Sequence, residues 1–250
     1  MDTSTSPAAT SRKMPRGALL FGISLILVGL VYVGIVVRHA LQAHAPETAV
    51  PAPEQRDLAA EAKALVRQSK PAPLSESMEK LLTEAERNHV ASQQHPLLGK
   101  PAPDFSRPDV YGNVWSLHEA LQRGPVVVIF YYGYHCNHCV SQLFDASEDY
   151  RRFRELGAEV VALSADDSEL TRKRYQQYGA FTFPVLADHG NKIAQAYGTY
   201  HPAENGQPEQ LDHGTFIIDQ NGIVRWAFAG DAPFSDNRTL FWELNQLRKK

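Results

Sequence analysis

Apolar and polar positions fall into short blocks whose period changes along the second half of the chain. Val126 to Phe130 is an unbroken apolar run of strand length, and it predicts a strand buried on both faces. Beyond Tyr134 the apolar residues Val140, Leu143, Phe144, Tyr150 and Phe153 recur at helical spacing, which predicts a helix to about Glu155. Val160 to Ser164 reads as a second buried strand. Asp167 to Tyr178 reads as a polar helix, Phe183 to Leu186 as a short strand and Lys192 to Tyr197 as a short helix. Thr215 to Asp219 and Ile223 to Ala229 are strands joined through Asn221-Gly222, a pair that favours tight hairpin turns. Thr239 to Leu247 closes the chain as a helix. Upstream, Asp104-Phe105 and Val114-Trp115 flank the turn residues Tyr111-Gly112-Asn113 and predict a hairpin. Ser116 is placed to cap a short helix ending before Gly124. The order strand, helix, strand, helix, then a hairpin and a helix, specifies an α/β domain: a mixed central sheet flanked by helices, over residues 96–250.

The first part of the chain has a different pattern. Residues 1–16 are polar and carry Arg12, Lys13 and Arg16. Residues 17–37 hold no charge over 21 positions, enough to cross a bilayer core as one helix. A cleaved signal peptide is the rival, because Ala43-His44-Ala45 has the small-x-small form. The length of the apolar stretch and Pro46 after the candidate cut favour a retained single-pass anchor. The basic residues ahead of the span put the N-terminus in the cytoplasm and the domain outside it. Residues 38–95 read as a linker or stalk: Ala- and Pro-rich from His39 to Pro53, then helically spaced over Leu58–Val66 and Leu74–Val90, with breaks at Pro71 and Pro73.

Composition adds little except by exclusion. A net charge of −3 offers no basic face for nucleic acid, and the 43% hydrophobic and 21% charged fractions are those of a globular chain. The informative count is cysteine. There are two in 250 residues, Cys136 and Cys139, three apart where the buried strand turns into a helix. The first turn of a helix presents unpaired N–H groups and partial positive charge, so a thiol placed there ionises more readily. A structural disulfide and a zinc site are the rivals of a redox pair. Structural zinc takes a second ligand pair, and no second cysteine pair exists. His135 and His138 flank the thiols and are candidates to hold charge near them or to carry a proton.

These segments, taken together, resemble the peroxiredoxin-like (AhpC/TSA) branch of the thioredoxin-fold superfamily. The resemblance covers about residues 96–234. It rests on Gly99-Lys100-Pro101-Ala102-Pro103-Asp104-Phe105, FYYGYHCNHCVSQL from Phe130, VVALSAD from Val160, FPVLAD from Phe183 and TFIIDQNGIVRW from Thr215. It implies a thioredoxin-like fold, no cofactor, a thiol electron donor, and a protein disulfide or a peroxide as substrate. Relatives carry FYRGxWCPYCxxQL at the centre, so Tyr132, His135, Asn137 and His138 are departures. Against thioredoxin-like oxidoreductases, Cys136 is the nucleophile and Cys139 resolves. Against typical peroxiredoxins, Cys139 falls on the peroxidatic position. The residue that is Arg in those peroxiredoxins, and proline in thioredoxin-like relatives, is here His213. An alternative follows from the same residue. Asp212-His213 before a strand resembles the copper-binding segment of Sco-type copper chaperones, which implies copper held by Cys136, Cys139 and His213. His118, His189 and His201 read as surface residues.

Overall fold

The computed structural model describes residues 74–249 except His135, together with the single helical residue Ala64; for Asn137 the backbone alone is described. The expected tail, membrane span and first part of the linker lie outside the described residues. Among the described residues, no helix is long and apolar enough to cross a membrane.

Five strands make the central sheet: β3 (Val126–Phe130), β4 (Glu159–Ser164), β5 (Val185–Ala187), β8 (His213–Ile218) and β9 (Val224–Gly230). Their order across the sheet is β5-β4-β3-β8-β9. β3 pairs in parallel with β4 and antiparallel with β8, so the sheet is mixed, as the order of elements predicts. Strand periodicity divides β3 between two cores. Val127 and Ile129 face a cluster with Leu143, Phe153, Trp226 and Phe241. Val126, Val128 and Phe130 face the opposite cluster, with Phe105, Trp115, Leu117 and Tyr197. Both sides of the strand are covered, and a five-residue apolar run is the sequence consequence.

The flanking elements follow from local signals. β1 (Ser106–Pro108) and β2 (Val114–Ser116) pair as the predicted hairpin. The Ser116 side chain caps α2 (Leu117–Leu121), accepting from the Glu119 N–H. Asp167 caps α5 (Ser168–Tyr178) in the same way. α6 (Lys192–Ala196) and α7 (Asn237–Arg248) complete the predicted set.

Three features differ from expectation. The helix after the cysteines is two helices, α3 (Asn137–Glu148) and α4 (Tyr150–Glu155), separated at Asp149. The Asp149 carboxylate is buried and accepts from the Leu74 N–H and from Asn237 Nδ2, long-range bonds that no local pattern encodes. A small hairpin of β6 (Tyr200–His201) and β7 (Gln210–Leu211) precedes β8; two-residue strands leave no readable periodicity.

The third difference concerns the segment ahead of the sheet. Residues from Leu74 onward, expected as stalk, pack onto the domain. α1 (Met78–Asn88) buries Leu81 completely in the core shared with Phe153 and Phe241. The following segment runs along β9: the Gln93 N–H donates to the Ala227 carbonyl at 2.9 Å, and the Ala229 N–H to Gln93 Oε1 at 2.8 Å. The Trp226 indole N–H donates to the Val90 carbonyl at 3.0 Å. The helical spacing of Leu81 and Ala85 records a buried face; its partner is set by the tertiary fold. The arrangement also covers a sheet edge that would otherwise offer unpaired backbone groups.

Candidate active site

The site is built where β3 ends. The chain turns through Tyr131 to Tyr134 and enters α3 at Cys136. Gly133 makes that turn, with φ +112°, a conformation that side-chain-bearing residues rarely adopt. A Cβ there would sit 2.7 Å from both carboxylate oxygens of Asp166, just beyond β4. That closeness is used: Asp166 Oδ2 accepts from the Tyr134 N–H at 2.7 Å. The turn is therefore anchored to the neighbouring strand by a carboxylate that only glycine admits.

Cys136 occupies the N-cap of α3 with extended backbone, and its sulfur accepts from the Cys139 N–H at 3.4 Å. The two cysteines form a disulfide, with their Cα atoms 5.4 Å apart. They are not equivalent. Cys136 is partly exposed, whereas Cys139 is fully buried. The capping geometry places Cys136 where a thiolate would accept helix N–H groups and lie at the positive end of the dipole.

His213 completes the constellation. It opens β8, and the register that pairs Phe130 with Gly214 carries it to the cysteines. Its Nε2 lies 2.8 Å from the sulfur of Cys139, and the residue is 3% exposed. The next residue, Gly214, is packed tightly against Thr199 and Phe216: a Cβ there would meet Thr199 Cγ2 at 2.5 Å and Phe216 Cε2 at 2.8 Å. The Tyr132 ring stacks on the imidazole with centroids 4.0 Å apart. Burial lowers the pKa of His213, which keeps the ring neutral near pH 7. The backbone of Asp231 and Gly230 and the carboxylates of Asp212 and Asp231 pull the other way. Nδ1 is buried and makes no hydrogen bond of good geometry, although that backbone lies close enough to favour a proton on the ring.

A second rung ties the same two elements. Gln142 Nε2 donates to Thr215 Oγ1 at 2.8 Å, both groups buried. Sequence reasoning passes over this pair, yet its spacing carries a signal. Gln142 is three residues past Cys139 on a helix, and Thr215 is two past His213 on a strand, so each shares a face with its neighbour at the site. Asp166 is missed as well, because its role depends on β4 lying beside β3.

The other named histidines are placed elsewhere. His138 is exposed on the first turn of α3, and His135 lies outside the described residues. His118, His189 and His201 are exposed. The donor atoms of Cys136, Cys139 and His213 all lie within 4.8 Å of one another. In this form the sulfurs are bonded to each other and offer no thiolate, so the set becomes a soft donor group only on reduction.

A model of the AhpC/TSA family matches residues 98–227. The chain belongs to the AhpC/TSA family. It is 31% identical over 130 residues to a chloroplastic peroxiredoxin Q of Oryza sativa subsp. japonica, spanning 52% of this chain and 58% of that protein. It is 33% identical over 135 residues to the thiol-disulfide oxidoreductase ResA of Bacillus anthracis, spanning 54% of this chain and 70% of that one. A solved structure of the peroxidoxin BcpB of Mycobacterium tuberculosis superposes with a TM-score of 0.53 at 26% identity, covering 62% of this chain and 98% of that one. The match thus spans little more than half the length of the peroxiredoxin Q relative. The AhpC/TSA match covers residues 98–227 and so does not include α1 or the segment along β9.

Proposed function

We propose that this chain is a thiol-disulfide oxidoreductase working through Cys136 and Cys139, with no cofactor and with a separate thiol as electron donor. The observation that carries this reading is the inequality of the two sulfurs: one partly exposed at a helix N-cap, the other buried behind it and bonded to it. Cys136 attacks a substrate disulfide and forms a mixed disulfide. Cys139 then displaces the substrate thiol and closes the Cys136–Cys139 bond, so two electrons pass from the dithiol to the substrate. The ResA relative, a thiol-disulfide oxidoreductase by name, supports disulfide exchange, and the peroxiredoxin Q relative supplies the second substrate class. A peroxide would oxidise Cys136 to a sulfenic acid, which Cys139 condenses to the same disulfide. Disulfide exchange is favoured over peroxide reduction because Cys139, which the motif resemblance puts at the peroxidatic position, is buried, and His213 stands where that resemblance puts the peroxiredoxin Arg.

The anchor at residues 17–37, with the domain on the far side of the membrane from the N-terminus, belongs to the same proposal and rests on the sequence pattern. The test of the chemistry is a pair of variants. Cys136→Ser abolishes turnover of a disulfide substrate, and Cys139→Ser accumulates mixed disulfides with partners. Peroxide consumption that survives Cys136→Ser and is lost in Cys139→Ser would reverse the roles. Tight, His213-dependent Cu(I) binding by a reduced protein with no exchange activity would replace this reading by the copper alternative.

A further inference from the structure

We infer that His213 takes the proton from Cys139 as that sulfur attacks the mixed disulfide at Cys136, and supplies one to the same sulfur when the disulfide is opened. The inference rests on the exchange reading above and adds to it the group that activates the second thiol. A buried thiol is a poor nucleophile, because the apolar surroundings that exclude water also disfavour its thiolate. Cys139 is fully buried, so the helix-terminus argument that serves Cys136 does not settle how Cys139 ionises. The fold supplies a base at contact distance: Nε2 of His213, 2.8 Å from Sγ. That distance is within the reach required of a general base.

The surroundings suit a ring that gains and loses a proton. The neutral imidazole has an open nitrogen to receive one. In the tautomer with Nε2 open, Nδ1 already carries the hydrogen, and the backbone of Gly230 and Asp231 favours the charged ring once Nε2 is protonated as well. The charged groups that face it are Asp212 beside it and Asp231 beyond β9, both of which stabilise an imidazolium, and the titratable Tyr132 stacked on one face. On the remaining side is Cys139 itself, whose thiolate would pair with the new charge. His138 is exposed on the first turn of α3, facing solvent.

In the mixed disulfide, Cys139 carries S–H. Its proton passes to His213 Nε2, and its sulfur forms a bond to Cys136 Sγ while the bond from Cys136 to the substrate sulfur breaks. The substrate leaves as a thiolate that is protonated from solvent, and His213 gives its proton back to solvent. Across the cycle the protein dithiol loses two electrons and two protons, and the substrate disulfide gains both.

The experiment is a single turnover of the reduced full-length chain with an excess of a chromogenic aromatic disulfide, read in His213→Gln. One thiolate is released when Cys136 attacks and a second when Cys139 closes the ring. Gln keeps much of the size of the ring and does not titrate. The first release should stay within about threefold of the unmodified protein. The second should slow by about a hundredfold at pH 7, the lower range for loss of a general base. Its rate should then keep rising with pH through the alkaline range, because the buried thiol must ionise unaided, instead of levelling off. Equal second-phase rates with the same pH profile would overturn the proposal. A guard against misfolding is the alkylation of Cys139 in Cys136→Ser, with and without His213→Gln. Loss of the imidazole should move the reactive form to higher pH, and an unchanged profile would overturn the proposal independently. First release that survives Cys136→Ser would overturn the order of the thiols, and the proposal with it.

Discussion

Gly133→Ala tests whether the turn before Cys136 depends on the close approach of Asp166. Two costs are expected. An alanine held at φ +112° is strained by about 1–3 kcal/mol. Its Cβ would also lie 2.7 Å from the Asp166 carboxylate, which must move away. Moving it breaks the 2.7 Å bond from the Tyr134 N–H, and a hydrogen bond to a charged group contributes about 1.5–3 kcal/mol. The sum is about 2.5–6 kcal/mol, a large share of the stability of a domain this size. Gly112→Ala separates the two costs. Gly112 has φ +89°, and a methyl group added there would meet nothing within 4 Å, so that variant carries strain without a clash. Urea unfolding of the oxidised protein should show Gly133→Ala less stable than Gly112→Ala by about the worth of the carboxylate bond. The rate of the first disulfide attack should change as well, because the same turn sets Cys136 on the helix. Equal destabilisation by the two variants would refute the anchoring role of Asp166.

Leu81→Ala should lower unfolding stability by about 2–5 kcal/mol, the cost of emptying a core leucine site, whereas a loss within about 0.5 kcal/mol would mean that α1 is not part of the fold. Asp145 on α3 is pushed up to about 6 from the ordinary 3.8, first by burial and then by Asp149 and Glu148. Its folded-state value is above its unfolded one, so stability present below about pH 4 should be lost as pH rises through about 6; Asp145→Asn should flatten that fall in a urea-midpoint series, and an unchanged slope would argue against it. A membrane-impermeant thiol reagent should label reduced Cys136 in sealed spheroplasts, and labelling only after lysis would sink the proposed orientation.

Much of the site can be read in the chain because it is local. The apolar run of β3, the change to helical period and the three-residue spacing of the cysteines are all encoded within one stretch. A helix start of that form brings the two Cα atoms to 5.4 Å whatever the rest of the fold does. The Asn221-Gly222 turn and the Ser116 and Asp167 caps are local in the same sense. His213 stands out through family resemblance, but its contact with Cys139, 74 residues away, depends on the antiparallel register of β3 with β8. The same holds for Asp166, which reaches the turn because β4 lies beside β3, and for Gln142 with Thr215. The segment from Leu74 to Gln93 makes the distinction sharpest. Its helical spacing records a buried face, yet it reads as a stalk, because periodicity states that a face is covered and not by what. Local sequence determines elements and the residues that sit at their ends. Long-range pairing decides which of those residues meet, and here it decided that the buried thiol has an imidazole beside it.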